Sequence, residues 1–365
     1  MKIILDREYL LPILANMANI ADRRPVQPIL AHVLIEAAGQ HCRFVATDLE
    51  VQLSADLDHP VDTPGACAVP ARKFYDICRA LPEHTPLELH TEGEKLLLKA
   101  NKSRFTLHVL PADQFPYLSI HSSRCQGNCP SKTFREALAV AASTMAQNDA
   151  RLFLNGVLIE VEGQEMRLVA TDGHRLAMMS LPFANNLENG SYQAILPRKA
   201  VLELLRILND GDIALEMSDT SFLLNDGTQQ FACKLIDAKY PDYRRVIPQG
   251  HPYACILDRQ IFKSGLQQSD VLVSDRNPTT HLHLASNQLI LRSRNEEQEE
   301  GEIQIPAEYQ DAALDIAFNS RYLTDTTQIF TQERLRMQVK DGASSAIFTP
   351  ADGDNPLYII MPVRL

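Results

Sequence analysis

The chain has 365 residues and a mass of 40.9 kDa; at roughly 100–200 residues per domain this predicts two or three domains. With 45% hydrophobic and 22% charged residues it is globular rather than disordered. Its 35 Lys and Arg stand against 46 Asp and Glu, a net charge of -11, the opposite of the basic excess usual in nonspecific nucleic-acid binders.

Met1-Lys2-Ile3-Ile4-Leu5 meets Asp6-Arg7-Glu8 at once, too early for a signal-peptide core. Asp6 is a candidate N-cap for a helix over Arg7–Ala18, where Leu10, Leu11, Leu14 and Met17 keep helical spacing. Strands follow over Val33–Glu36 and Arg43–Thr47. Pro70 suits the first turn of a second helix, Ala71–Leu81, with Phe74, Ile77, Cys78 and Leu81 on one stripe. Strands are then expected over Leu87–His90, Lys95–Ala100 and Arg104–Leu110. A helix beginning near Thr133 carries Phe134, Leu138, Ala141 and Ala142, and another follows Pro197 over Arg198–Leu208 with Val201, Leu204, Leu205 and Leu208 inward. Near Arg259 a further helix carries Ile261, Phe262 and Leu266. No apolar run approaches the ~18–20 residues that a membrane-crossing helix needs.

The series repeats. Val33-Leu34-Ile35-Glu36 recurs as Val157-Leu158-Ile159-Glu160, and Val45-Ala46-Thr47-Asp48 as Val169-Ala170-Thr171-Asp172, both at an offset of 124. Val69-Pro70-Ala71-Arg72-Lys73 answers Leu196-Pro197-Arg198-Lys199, and Phe115-Pro116-Tyr117 answers Tyr240-Pro241-Asp242-Tyr243. A fainter third copy has Asn287-Gln288 and, at the place of the Pro-Arg-Lys signal, Phe318-Asn319-Ser320-Arg321-Tyr322. Repeats of this length are whole domains rather than solenoid units. Linkers are expected in His121–Cys129 and Pro248–Pro252. Each unit then holds two helices and about eight strands, an α+β arrangement.

The helices gather cations: Arg7, Arg72, Lys73 and Arg79; Lys132, Arg135, Arg198, Lys199 and Arg206; Arg259, Lys263 and Arg321. On one helix this reads as a solvated face. Recurring at equivalent helices, it points to a basic surface that meets phosphates without reading sequence.

The repeat, Ala170-Thr171-Asp172-Gly173-His174-Arg175-Leu176-Ala177, Tyr240-Pro241-Asp242-Tyr243-Arg244-Arg245-Val246 and Met361-Pro362-Val363-Arg364-Leu365 together resemble the bacterial DNA polymerase III beta subunit family, the sliding clamps, over the whole chain. The resemblance implies three DNA-clamp domains, 1–124, 125–249 and 250–365, in a head-to-tail dimeric ring with helices lining the hole. It implies a cytoplasmic, non-enzymatic processivity factor without cofactor that encircles duplex DNA. Polymerase subunits, a clamp loader and repair proteins would dock through short linear motifs bearing a Gln and large apolar anchors. No P-loop is present, so opening such a ring would fall to a separate ATP-driven loader.

Carried over by position, the docking groove comprises Arg151, Leu154, Thr171, Gly173, His174, Arg175, Leu176, Pro241, Arg245, Val246, Ser345, Ile359, Met361, Pro362, Val363, Arg364 and Leu365, with Arg175 and Arg245 framing polar groups of the peptide. Arg24, Arg72 and Asn148 match DNA contacts, whereas Leu152-Phe153 departs from the aromatic pair the family often shows before Leu-Asn-Gly. At the subunit interface, basic Lys73, Lys95, Lys102 and Arg104 beside Phe105 and Leu107 would face acidic Glu297, Glu299 and Glu300, with Val271 and Leu272 packing across the seam. Two such heterologous contacts close a ring.

Three other readings stand beside these. Asp172 and His174 suggest an acid–base pair, although no nucleophile motif accompanies them. A monomeric three-domain scaffold would have half the dimer's mass. His121, Cys125 and Cys129 faintly suggest zinc but supply fewer than the four ligands a structural site takes, so no metal is expected. The seven cysteines are odd in number and irregular in spacing, which argues for a reducing compartment.

Overall fold

The computed structural model describes residues 1–120, 122–187, 190–274, 276 and 278–363. Among them are six α-helices: α1 (Arg7–Ile20), α2 (Ala71–Ala80), α3 (Ser131–Ala142), α4 (Arg198–Ile207), α5 (Arg259–Ser269) and α6 (Ser320–Ile329). One order of elements runs three times: a strand, a helix, four strands, a helix, three strands; the middle run has one additional two-residue strand. The third copy, faint in sequence, keeps the same order. The class is the expected α+β.

The helix starts follow the sequence closely. Asp6 caps α1, its carboxylate accepting the Glu8 amide at 3.2 Å. Asp258 caps α5 in the same way, and Asn319 caps α6, accepting the Arg321 amide at 3.0 Å. Pro70 and Pro197 differ from expectation: each ends a strand, and the helix begins one residue later. Among the described residues, no helix is long and apolar enough to cross a membrane.

The chain divides into two compact units. The first comprises Met1–Lys132 and Lys199–Leu235 with the short strand Ala184–Asn185. Its nine-stranded antiparallel sheet joins Gln229–Lys234 to Val51–Asp58, so pairing runs unbroken past residue 124. Leu10, Leu14 and Met17 of α1 and Phe74 and Cys78 of α2 are fully buried. The expected linker 121–129 is half wrong. Cys125–Pro130 is a strand paired with Asp212–Met217, because Cys125 and Cys129, four apart, share its buried face. A second, four-stranded sheet ends at Ser103–His108.

The second unit comprises Thr133–Phe183 and Ile236–Leu365 with Ser191–Pro197. Its eight-stranded antiparallel sheet joins Arg175–Pro182 to Leu357–Ile360, again without a break. A four-stranded sheet, ending at Glu300–Pro306, carries α5. Gly265 lets that helix approach closely; a Cβ there would stand 3.0 Å from the Leu291 side chain.

Candidate functional site

Fifteen residues assigned to the docking groove lie in the second unit, while Arg364 and Leu365 fall outside the described residues. The groove starts from a tight reversal between strands Glu165–Thr171 and Arg175–Pro182. Asp172 makes it: Oδ1 accepts the amides of His174 at 2.9 Å and Arg175 at 3.0 Å. Thr171 Oγ1 donates to the Arg175 carbonyl at 2.6 Å and accepts the Gly173 amide at 3.1 Å. Gly173 has φ +91°, and a Cβ there would stand 3.3 Å from the Arg151 guanidinium. Arg151 is held by a fork to Asp149, at 3.0 and 2.9 Å, which pulls that carboxyl down to about 2.

Leu176 pairs with Ile359 across the strand junction. Both are buried in an apolar cluster with Leu158, Val169, Ile195, Ile347, Tyr240 and Tyr243. Leu154 is buried as well. The segments that border the cluster leave apolar side chains in solvent: Val246 is 49% exposed, Met361 43% and Val363 36%. The Met361 amide donates to the His174 carbonyl at 2.9 Å, and the Val363 amide to the Ala317 carbonyl at 2.8 Å, fixing the path of the segment that follows the last strand, Leu357–Ile360. Pro241, His174 and Arg245 are exposed, Pro362 is half-buried, and the half-buried Ser345 accepts a 2.7 Å hydrogen bond from His251. Exposed apolar residues beside a buried apolar floor make a surface suited to a peptide with large apolar anchors.

Arg175 is not available to frame a peptide. Its guanidinium is spent on Asp172 at 2.9 Å, on Asp325 of α6, on the Tyr358 hydroxyl at 3.1 Å and on the Tyr322 ring at 4.4 Å. Arg245 stays free of such burial, 84% exposed with Asp242 at 3.0 Å.

The acid–base reading of Asp172 and His174 is not supported. Both carboxylate oxygens of Asp172 serve the reversal and Arg175, and no hydrogen bond links them to the imidazole. The zinc reading fares no better. Burial pushes the Cys125 thiol up to about 11 and Cys129 up to about 12, away from the thiolate a metal takes, and His121 lies outside the described residues.

The expected cationic helix faces need correction at three residues. Arg7 reaches from the first turn of α1 to the Cys78 carbonyl at 2.9 Å and the Arg79 carbonyl at 3.4 Å, at the end of α2. Arg259 does the same from α5 to the Thr327 carbonyl of α6 at 3.1 Å and the nearby Gln332 carbonyl at 2.8 Å. Both satisfy carbonyls at or beside a helix C-terminus and oppose its dipole. Lys199 is half-buried and paired with Asp48. Arg72 and Lys73 on α2, Lys132, Arg135 and Arg321 remain exposed.

Of the residues matched to DNA contacts, Arg24 and Arg72 are exposed in the first unit and Asn148 is exposed in the second, at φ +59°. At the departing pair, Leu152 is 61% exposed while Phe153 turns its ring edge-on to Tyr240, 5.9 Å between centroids.

Most of the residues expected at a subunit interface lie on or beside two outer strands, while Lys73 is on α2 and Val271 and Leu272 are in the short turn Asp270–Leu272 after α5. Ser103–His108 is the outer strand of its sheet, with Lys102 and Arg104 exposed, Phe105 half-buried, Leu107 buried, and exposed Lys95 on the neighbouring strand. Glu300–Pro306 is the outer strand in the second unit. Glu297 and Glu299 are exposed beside it, and Glu300 lies 3.4 Å from Arg294. Val271 is 79% exposed, and Leu272 lies against Gly301, where a Cβ would stand 3.0 Å from it.

Sequence reasoning missed Glu160 with Gln193, Tyr243 and Arg244, and the Asp325, Tyr322 and Tyr358 partners of Arg175. A signal for the first existed: Glu160 is the one charge in the apolar strand Val157–Val161.

Three repeats of one α+β element order, with exposed apolar residues beside a buried apolar floor, have the form of a clamp-type binding protein. Comparison with known proteins agrees. Family profiles for the DNA polymerase III beta subunit match residues 1–119 (N-terminal domain), 128–242 (central domain) and 244–364 (C-terminal domain). The beta sliding clamp of Pseudomonas putida is 37% identical over 369 residues, covering 100% of both chains. The crystal structure of the DNA polymerase III subunit beta from Pseudomonas aeruginosa superposes with a TM-score of 0.96 at 37% identity, again over 100% of both chains. A Pseudomonas aeruginosa clamp bound to griselimycin gives 0.95 at 36% identity and the same coverage. The chain belongs to the DNA polymerase III beta subunit family. It is a DNA sliding clamp, a non-catalytic processivity factor of DNA replication.

Proposed function

We propose that two copies of the chain close head to tail into a ring around duplex DNA, each built of clamp domains 1–124, 125–249 and 250–365. Polymerase subunits, clamp loader and repair proteins dock in turn through short linear motifs on the surface around Thr171–Leu176, Pro241–Val246 and Ile359–Val363. The observation that carries the docking reading is the exposure of Val246, Met361 and Val363 beside the buried cluster of Leu176 and Ile359. The head-to-tail closure is supported by the charge of the two open edges, Lys102 and Arg104 on one and Glu297, Glu299 and Glu300 on the other. Pairing them covers two edges that otherwise invite aggregation. Within the ring DNA is held by topology, so Arg24, Arg72 and Asn148 need only loose, salt-sensitive contact.

The test is retention on DNA of different topology. Protein loaded by its cognate loader and ATP onto a nicked circle is expected to stay on the circle and to leave quickly once the DNA is linearised. Equal retention on both forms, governed by salt alone, overturns the ring.

A further inference from the structure

Glu160 is 3% exposed, yet it carries a charge in the middle of an apolar strand. Four side chains converge on its carboxylate. The Tyr243 hydroxyl donates at 2.7 Å and Gln193 Nε2 at 2.6 Å. Arg244 forks onto both oxygens at 3.2 and 2.6 Å, and Arg167 adds a contact at 3.3 Å. Burial alone raises the Glu160 pKa, but the bonds from Tyr243, Gln193 and Arg244 outweigh it and hold the group ionised. A buried carboxylate with this many donors is a fixed point, because a vacated donor or acceptor there is left unsatisfied.

Two of the donors are consecutive residues of the short turn Tyr243–Val246. Tyr243 also sends its ring into the cluster beneath the docking surface. The next two residues, Arg245 and Val246, are the exposed ones assigned to peptide contact. Among the described residues, Arg245 has only its neighbour Asp242 as ion-pair partner. The turn is thus nailed at one end and presented at the other.

We propose that Glu160 is a positioning residue for peptide docking: through Tyr243 and Arg244 it holds the turn that presents Arg245 and Val246 to the incoming motif. It touches no peptide itself. The inference rests on the docking reading above, and its test separates the two. Fluorescence anisotropy of a labelled synthetic decapeptide carrying a Gln and Leu and Phe anchors is measured on the full-length wild type and on Glu160→Gln, Arg244→Gln and Val246→Asp. Hydrogen exchange is followed over 243–247 and over 156–162. Glu160→Gln and Arg244→Gln are expected to weaken the peptide about tenfold, as a loosened supporting shell does. They should speed exchange in the turn while the strand stays protected. Arg244→Gln acts from the half-exposed turn side, so it keeps the test informative where Glu160→Gln disturbs the strand. Affinity within twofold of wild type for both, with Val246→Asp weakened, overturns the positioning role and leaves the groove standing. Loss of affinity without faster exchange in the turn overturns it too. Unchanged binding by Val246→Asp overturns the docking reading itself.

Discussion

Replacing Arg175 by alanine tests whether this arginine builds the groove or reads the peptide. The side chain is 11% exposed and stands between Asp172, 17% exposed, and Asp325, 22% exposed. Its loss leaves Asp172 with only two backbone donors and removes the cation from Asp325. Breaking a fully buried pair costs about 3–5 kcal/mol, and partial access of water here brings that to about 2 kcal/mol. The stacking on Tyr322 adds about 0.5–1 kcal/mol. The expected destabilisation of about 2.5 kcal/mol lowers the melting transition of a unit this size by about 5–10 °C at roughly 2–4 °C per kcal/mol. Arg175→Lys keeps the charge but loses the fork and the stack, so it should fall about midway. Scanning calorimetry measures both variants, and peptide anisotropy runs beside it. If Arg175→Ala melts within 2 °C of wild type while its peptide affinity drops tenfold, the guanidinium serves the peptide and the reasoning is refuted.

Arg7→Met and Arg259→Met each strip two carbonyls at or near a helix end, so each should cost about 1–1.5 kcal/mol in urea unfolding, with retention on circular DNA unchanged. A loss of retention at full stability would restore them to the DNA surface. Arg104→Glu should convert a particle of twice 40.9 kDa into one of 40.9 kDa by light scattering, and Glu300→Arg in the same chain should restore the larger mass; no recovery argues against that pairing. Glu160 has a folded pKa below its unfolded one, so its stabilisation is present above the unfolded value of about 4.3 and is lost as pH falls through the folded one. The stability gap between wild type and Glu160→Gln should therefore be widest near neutral pH and close in acid; a gap that widens below pH 4 contradicts the bound carboxylate.

Period and capping made the elements legible before the structure. Leu10, Leu14 and Met17 are spaced for one helix face, and Asp6 has the chemistry of an N-cap, so α1 could be written from the sequence with an error of two residues at its end. Repetition made the fold legible, because residues recurring at a fixed offset occupy the same place in the same element order. Side-chain partners across distant elements were not legible. Arg7, Arg259 and Lys199 look like any surface cation, since nothing local in the sequence says that a helix end or Asp48 stands opposite. The same limit hid the partners of Arg175, whose two carboxylates lie 3 and 150 residues away. Cys125 failed for a different reason: in a stretch rich in Gly, Asn and Pro, a strand is specified by its pairing with Met217, a tertiary term that outweighs local preference. A binding surface of this kind is read from sequence by its exposed apolar residues, while the charges that shape it are buried where only the fold reveals their partners. Arg175 and Glu160 belong to that hidden half, one anchoring the Thr171–Leu176 reversal and the other the Tyr243–Val246 turn. If the proposed peptide surface rests on these two ionic anchors, its affinity should respond to substitutions at Glu160 and Arg175 that remove no peptide contact.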